Sequence, residues 1–148
     1  MYKRQALGAR GGAWVPTVRQ VERVVEQIGP ERTGGRVLAE GLERVRSLSS
    51  LATQAGVCVL AGSDFGTPQG RIGAEAVGLV EYGFTVEDAV KAVTGAAYEY
   101  VGEACGFEPG FPADVVAFAE NPHDRVETLL DPVLVMRRGR VLLDRRSS

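Results

Sequence analysis

Histidine is nearly missing from this chain: His123 is the one histidine in 148 residues. Catalytic zinc takes about three side-chain ligands, drawn mostly from histidines and carboxylates. The chain therefore cannot build an all-histidine metal site by itself. Cysteine is scarce as well. Cys58 and Cys105 are the two present, which excludes a disulfide framework and a cysteine-ligated zinc centre. Neither sign of charge is in strong excess. The formal net charge is -2, so there is no electrostatic case for nucleic acid or an anionic membrane as a partner. No apolar run approaches the roughly 20 residues that a membrane span needs. Cytoplasm is the expected compartment.

What is there is ordinary for a globular domain. Hydrophobic residues make up 45% and charged residues 24%, and the length suffices for one domain with a real core. The organising stretch is Val57 to Gly66. Val57 to Ala61 is short and wholly apolar, the pattern of a parallel strand covered on both faces. It ends in the small residues Gly62 and Ser63, and Asp64 follows at the strand's C-terminal mouth. That is where α/β proteins keep their chemistry. A carboxylate there can also cap the next turn, and the stretch by itself leaves both readings open. Cys58 lies inside the strand and is expected to pack as a small hydrophobe.

Upstream, Ala13 to Thr17 is a short strand stopped by Pro16, with Thr17 expected to cap a helix. Val18, Val21, Val24, Val25 and Ile28 recur at helical spacing in that helix. A second amphipathic helix is expected over about Arg36–Ala55, with Leu38, Leu42, Val45, Leu48 and Ala52 inward and Gly56 just past its end. After Asp64, Phe65 to Gly73 is a glycine-rich loop of the length of a functional βα loop. Ala74–Tyr82 reads as a helix. Thr85 to Asp88 starts another in the manner of a capping box, and Thr94 is expected to cap a third with Ala96, Ala97, Tyr100 and Val101 inward. From Gly106 the pattern turns to short strands: Val115–Phe118, Val133–Met136 and Val141–Leu143, the last two joined by a tight turn at Arg138 and Gly139.

The division that follows is residues 1–5 outside the fold, 6–105 as βα units, 106–144 as a small β segment and 145–148 as a tail. Met1 to Gln5 fits no element and is similar to a translated sequencing adapter. Two parallel strands cannot protect both edges of a sheet. Both observations lead to the expectation that the chain is a fragment, poorly soluble or oligomeric when isolated.

Taken together, the segments resemble the C-terminal portion of a metal-dependent amidohydrolase of the imidazolonepropionase-like type. Val59 to Asp64, with Phe65 and Gly66, is similar to the family's last barrel strand and its metal-site aspartate. Glu81 to Ala97 resembles the helix pair that follows. Glu108 to Asp114, leading into Val115–Phe118, resembles the re-entry into the family's small β domain, and Arg138 to Val141 its closing hairpin. Gly12 to Thr17 resembles the preceding barrel strand.

The resemblance implies an α/β fold: the C-terminal part of a (β/α)8 TIM-type barrel plus a small antiparallel β segment of a composite β domain. It implies hydrolysis of an amide or other C–N bond in a small molecule, with a divalent metal, zinc by preference, activating water. A homo-oligomeric parent is compatible with it. Asp64 would be metal ligand and general base. Ser63, Phe65, Thr67 and Gln69 would line the substrate pocket. Gln69 stands where many relatives have histidine, a departure that bears on the substrate. The family's other ligands have no counterpart here, so this chain by itself is expected to be inactive and to bind metal weakly. His123, in a polar turn, is expected to be solvated, and Asp114 to be a turn carboxylate.

Two rival readings come from other classes. Gly66, Gly70 and Gly73 before a helix could cradle a phosphate, but the spacing is not Gly-X-Gly-X-X-Gly and no Gly-Lys-Ser/Thr follows. The chain could also be a non-catalytic α/β module that associates with a partner. Asp64 at a strand end separates the enzyme from the module.

Overall fold

Parallel strands need a crossover, and here two helices supply it. β1 (Ala13–Trp14) and β2 (Cys58–Val59) pair in parallel, Ala13 against Cys58 and Trp14 against Val59. Between them run α1 (Val18–Ile28) and α2 (Thr33–Gln54). The computed structural model describes residues 11–64 and 70–146. The expected strand Val57–Ala61 shortens to Cys58–Val59, because beyond it Ala61 N–H donates to Ala92 O of the next helix unit at 3.1 Å.

The inward faces follow the apolar periodicity. Val18 of α1 packs with Leu42 of α2 and with Tyr82, and Val21, Val25 and Val45 close around them. Three further helices follow β2: α3 (Gly73–Glu81), α4 (Val86–Ala92) and α5 (Gly95–Val101). Their buried residues Ala76, Val77, Leu79, Ala89 and Ala92 join Val59 and Phe84 in the main core. Trp14 leans on Phe84 with ring centroids 5.6 Å apart.

A second sheet is antiparallel in the order β3 (Val115–Ala117), β4 (Leu134–Arg137), β5 (Arg140–Asp144). Asp114 accepts a hydrogen bond from the backbone N–H of Arg138 at the β4–β5 turn, which is the turn role expected of it. The 3₁₀ turn Val126–Leu130 joins this part to the main core through Val126 and Leu129.

Three local expectations fail. Thr17 does not cap α1; it sits in the left-handed region with φ 49°, and its side chain makes no cap hydrogen bond. Thr94 does not cap α5 either, because its hydroxyl is turned back to donate to Val90 O at 2.7 Å. In α5 only Ala96 is buried, while Ala97, Tyr100 and Val101 are exposed. Among the described residues nothing covers that outer face. Thr85, by contrast, accepts from Asp88 N–H at 3.0 Å and caps α4 as expected.

At Gly73 the first turn of α3 lies close against the 3₁₀ turn. A Cβ added there would stand 2.2 Å from the backbone oxygen of Leu129. Backbone cannot yield as a flexible side chain does, so Gly73→Ala should destabilise the protein by about 1–3 kcal/mol, the usual range for overpacking. Urea unfolding checks it, and an unchanged midpoint would show that this junction is loose.

Candidate active site

β1 and β2 open at the same end. Leu60 N–H still donates to Trp14 O at 3.0 Å, and then both chains turn away. The two turns touch. A Cβ on Gly62 would lie 2.5 Å from Val15 Cγ1 and 3.2 Å from Thr17 Cγ2, so only glycine fits under the β1–α1 turn. Ser63 is half-buried and Asp64 is exposed at this mouth. Asp64 has φ 42°, so the two facing turns each hold a non-glycine residue in the left-handed region. Aspartate tolerates that conformation better than a β-branched threonine does. Such residues persist when their surroundings over-determine them, and they cluster at functional sites.

Glu75 is what holds the first of these turns, and the sequence reading missed it. Its side chain is fully buried. One carboxylate oxygen accepts from Val18 N–H at 2.8 Å and the other from Arg19 N–H at 3.1 Å. Glu75 thus caps α1 from another helix, in the place expected of Thr17, with a negative charge at a helix N-terminus. Burial pushes its carboxyl pKa up, and the N–H donors of Arg19 and Val18 and then the Arg19 guanidinium pull against it. The available signal was a lone carboxylate in the otherwise apolar run Gly73 to Val80.

Arg19 returns the contact. Its Nε donates to Ala74 O at 3.1 Å, and it pairs with Glu22 and Glu81 at 2.8 and 2.9 Å. Burial works to lower the guanidinium, but Glu81 and Glu22 outweigh it and the pKa ends above the ordinary value. The Tyr82 hydroxyl donates to Glu22 at 3.0 Å, and burial together with Glu22 pushes it up to about 12. Tyr82 is therefore a packed donor here rather than an acid–base group at neutral pH.

Of the residues expected at the site, the structure brings Ser63 and Asp64 to the mouth. Phe65, Thr67 and Gln69 lie outside the described residues. His123 is exposed in its turn, where its N–H donates to Asn121 Oδ1 at 3.1 Å. Among the described residues no group of three or more His, Cys, Asp or Glu side chains could hold a metal ion. Asp64 offers one hard oxygen donor where a zinc site takes about four ligands, so the described residues do not form a metal centre. No described helix is long and apolar enough to cross a membrane.

No family model matches the chain. Among curated proteins it is similar to uncharacterized proteins of Mycobacterium tuberculosis and Mycobacterium bovis. Each is 30% identical over 135 residues, which is 88% of this chain and 36% of the relative. The chain thus spans about a third of the length of these relatives. Solved structures agree on the shape. A Xaa-Pro dipeptidase with bound methionine superposes with a TM-score of 0.73 at 21% identity, over 94% of this chain and 36% of that one. A crystallised amidohydrolase gives 0.76 at 22%, over 95% and 37%. Ochratoxinase of A. niger gives 0.74 at 23%, over 98% and 35%.

Over that third, the chain has an amidohydrolase fold. Within the amidohydrolase fold, β1 and β2 are adjacent parallel strands whose mouths face the same way. Asp64 stands on one mouth, and the Thr17 turn on the other.

Proposed function

We propose that this chain is the C-terminal part of a metal-dependent hydrolase acting on amide or cyclic amide C–N bonds of small molecules in the cytoplasm. The observation that carries the reading is Asp64. It stands exposed and left-handed at the mouth of β2, beside the mouth of β1, in a chain with this fold. In the complete enzyme β1 and β2 would be the last two strands of a (β/α)8 barrel, and the remaining ligands would come from outside this chain. A bound divalent ion, zinc by preference, would supply Lewis acidity to a water and to the substrate carbonyl. The Asp64 carboxylate would ligate it and hold the proton taken from the attacking water. Ser63, Phe65 and Gln69 would line the pocket. Without the other ligands this chain is inactive by itself.

The neighbours that support an amide substrate are named for Xaa-Pro dipeptides and for ochratoxin, and a prolidase among them was crystallised with N-methylphosphonate-L-proline. The test is to sequence upstream of the Met1 codon, express the complete protein and assay it on a panel of Xaa-Pro dipeptides and N-acyl amino acids. Expected is an in-frame extension carrying His-X-His, with hydrolysis that a chelator removes and zinc restores. A stop codon directly upstream of a start signal at Met1, or turnover indifferent to chelation, would overturn the reading.

A further inference from the structure

We propose that Glu75 is a positioning residue: it clasps the β1–α1 turn, and that turn in turn holds the Asp64 turn in place. The proposal rests on the hydrolase reading for its effect on turnover, but its geometry stands independently. Glu75 is fully buried, and its two oxygens take up the N–H groups of Val18 and Arg19. Arg19 Nε answers to Ala74 O, so the first turns of α1 and α3 hold each other reciprocally. Val18 directly follows Thr17, whose φ of 49° is unfavourable for a β-branched residue. Val15 and Thr17 fill the space that a Cβ on Gly62, two residues before Asp64, would need.

Gly62, before Asp64, and Glu75, on α3, thus both meet one feature, the β1–α1 turn. Gly62 lies under Val15 and Thr17, and Glu75 binds Val18 and Arg19. If the carboxylate is lost, one or both N–H groups are left without an acceptor. The turn then relaxes, and the Asp64 turn loses the surface it rests on. A misplacement of about 1 Å in a reacting group can cost as much as about 100-fold in rate.

The experiment compares the complete enzyme with Glu75→Gln and Thr17→Gly, assayed well below their melting temperatures. Expected for Glu75→Gln is a fall in kcat of about 10- to 100-fold with KM changed by less than about threefold. In the same samples hydrogen–deuterium exchange at Gly62 to Asp64 should quicken by roughly tenfold, while the β4–β5 hairpin stays unchanged. Thr17→Gly removes the left-handed penalty and the contact with Gly62. It should lower kcat without lowering the melting temperature, and it remains informative if Glu75→Gln does not fold. The double variant should lose less than the sum of the two, because both act through one turn. Unchanged exchange at Gly62 to Asp64, or additive losses, would overturn the proposal. If the unaltered enzyme turns over none of the amides, it is the hydrolase reading that has failed, and the exchange result still decides whether Glu75 holds the Asp64 turn.

Discussion

Asp64→Asn in the complete enzyme is expected to abolish turnover while the protein stays folded. The two side chains have nearly the same volume, and asparagine enters the left-handed region as readily as aspartate, so φ 42° at this position survives the change. The residue is exposed, and substitutions at such places usually alter stability by no more than about 0.5 kcal/mol. What the amide lacks is the negative charge and the ability to accept a proton from water. General-base catalysis is worth roughly 10²–10⁴-fold, and loss of a charged ligand adds to that, so kcat should fall by at least about 10³-fold. The pair of measurements is kcat on the cleaved amide and the melting temperature. Near-normal turnover would remove Asp64 from the chemistry, and a collapsed melting temperature would give it a structural role instead.

Much of the fold was legible because its signals are local. The stripe Leu38, Leu42, Val45, Leu48, Ala52 lies at helical spacing, and α2 buries Leu42 and Ala52 as that spacing requires. Thr85 caps α4 because Asp88 is three residues away. Asp64 could be placed at a strand mouth because an apolar run and two small residues precede it. What was not legible depends on distant partners. Thr17 has the residue type of a cap, yet Glu75, far along the chain, takes the α1 amides. With the Val18 and Arg19 amides taken by Glu75, the Thr17 side chain makes no cap hydrogen bond, and the residue is held left-handed. The same holds for α5. Its apolar residues read as an inner face, but Tyr100 and Val101 are exposed because no described element packs against them.

Leu79→Ala should carry a large stability loss, about 2–5 kcal/mol, as for other buried leucines cut back to alanine. Leu79 is fully buried and belongs to the main core with Val59, Phe84, Ala89 and Leu129. Its backbone oxygen also accepts from Phe84 N–H at 3.1 Å, so the turn out of α3 is tied to the same residue. The size of the effect follows from where α3 stands. Glu75 fastens this helix to the N-terminus of α1, and Gly73 sets it against the backbone of Leu129. With its first turn pinned at Gly73 and Glu75, the helix has little freedom to slide inward and fill the space that the missing methyl groups leave. A cavity that cannot collapse is the costly kind. Leu142→Ala is the comparison, because Leu142 is 58% exposed and its truncation should stay within about 0.5 kcal/mol. Urea midpoints of the two variants measure the difference. A Leu79 variant as stable as the Leu142 variant would mean that α3 repacks freely, and a helix that repacks freely could not serve as the clasp that holds the β1–α1 turn.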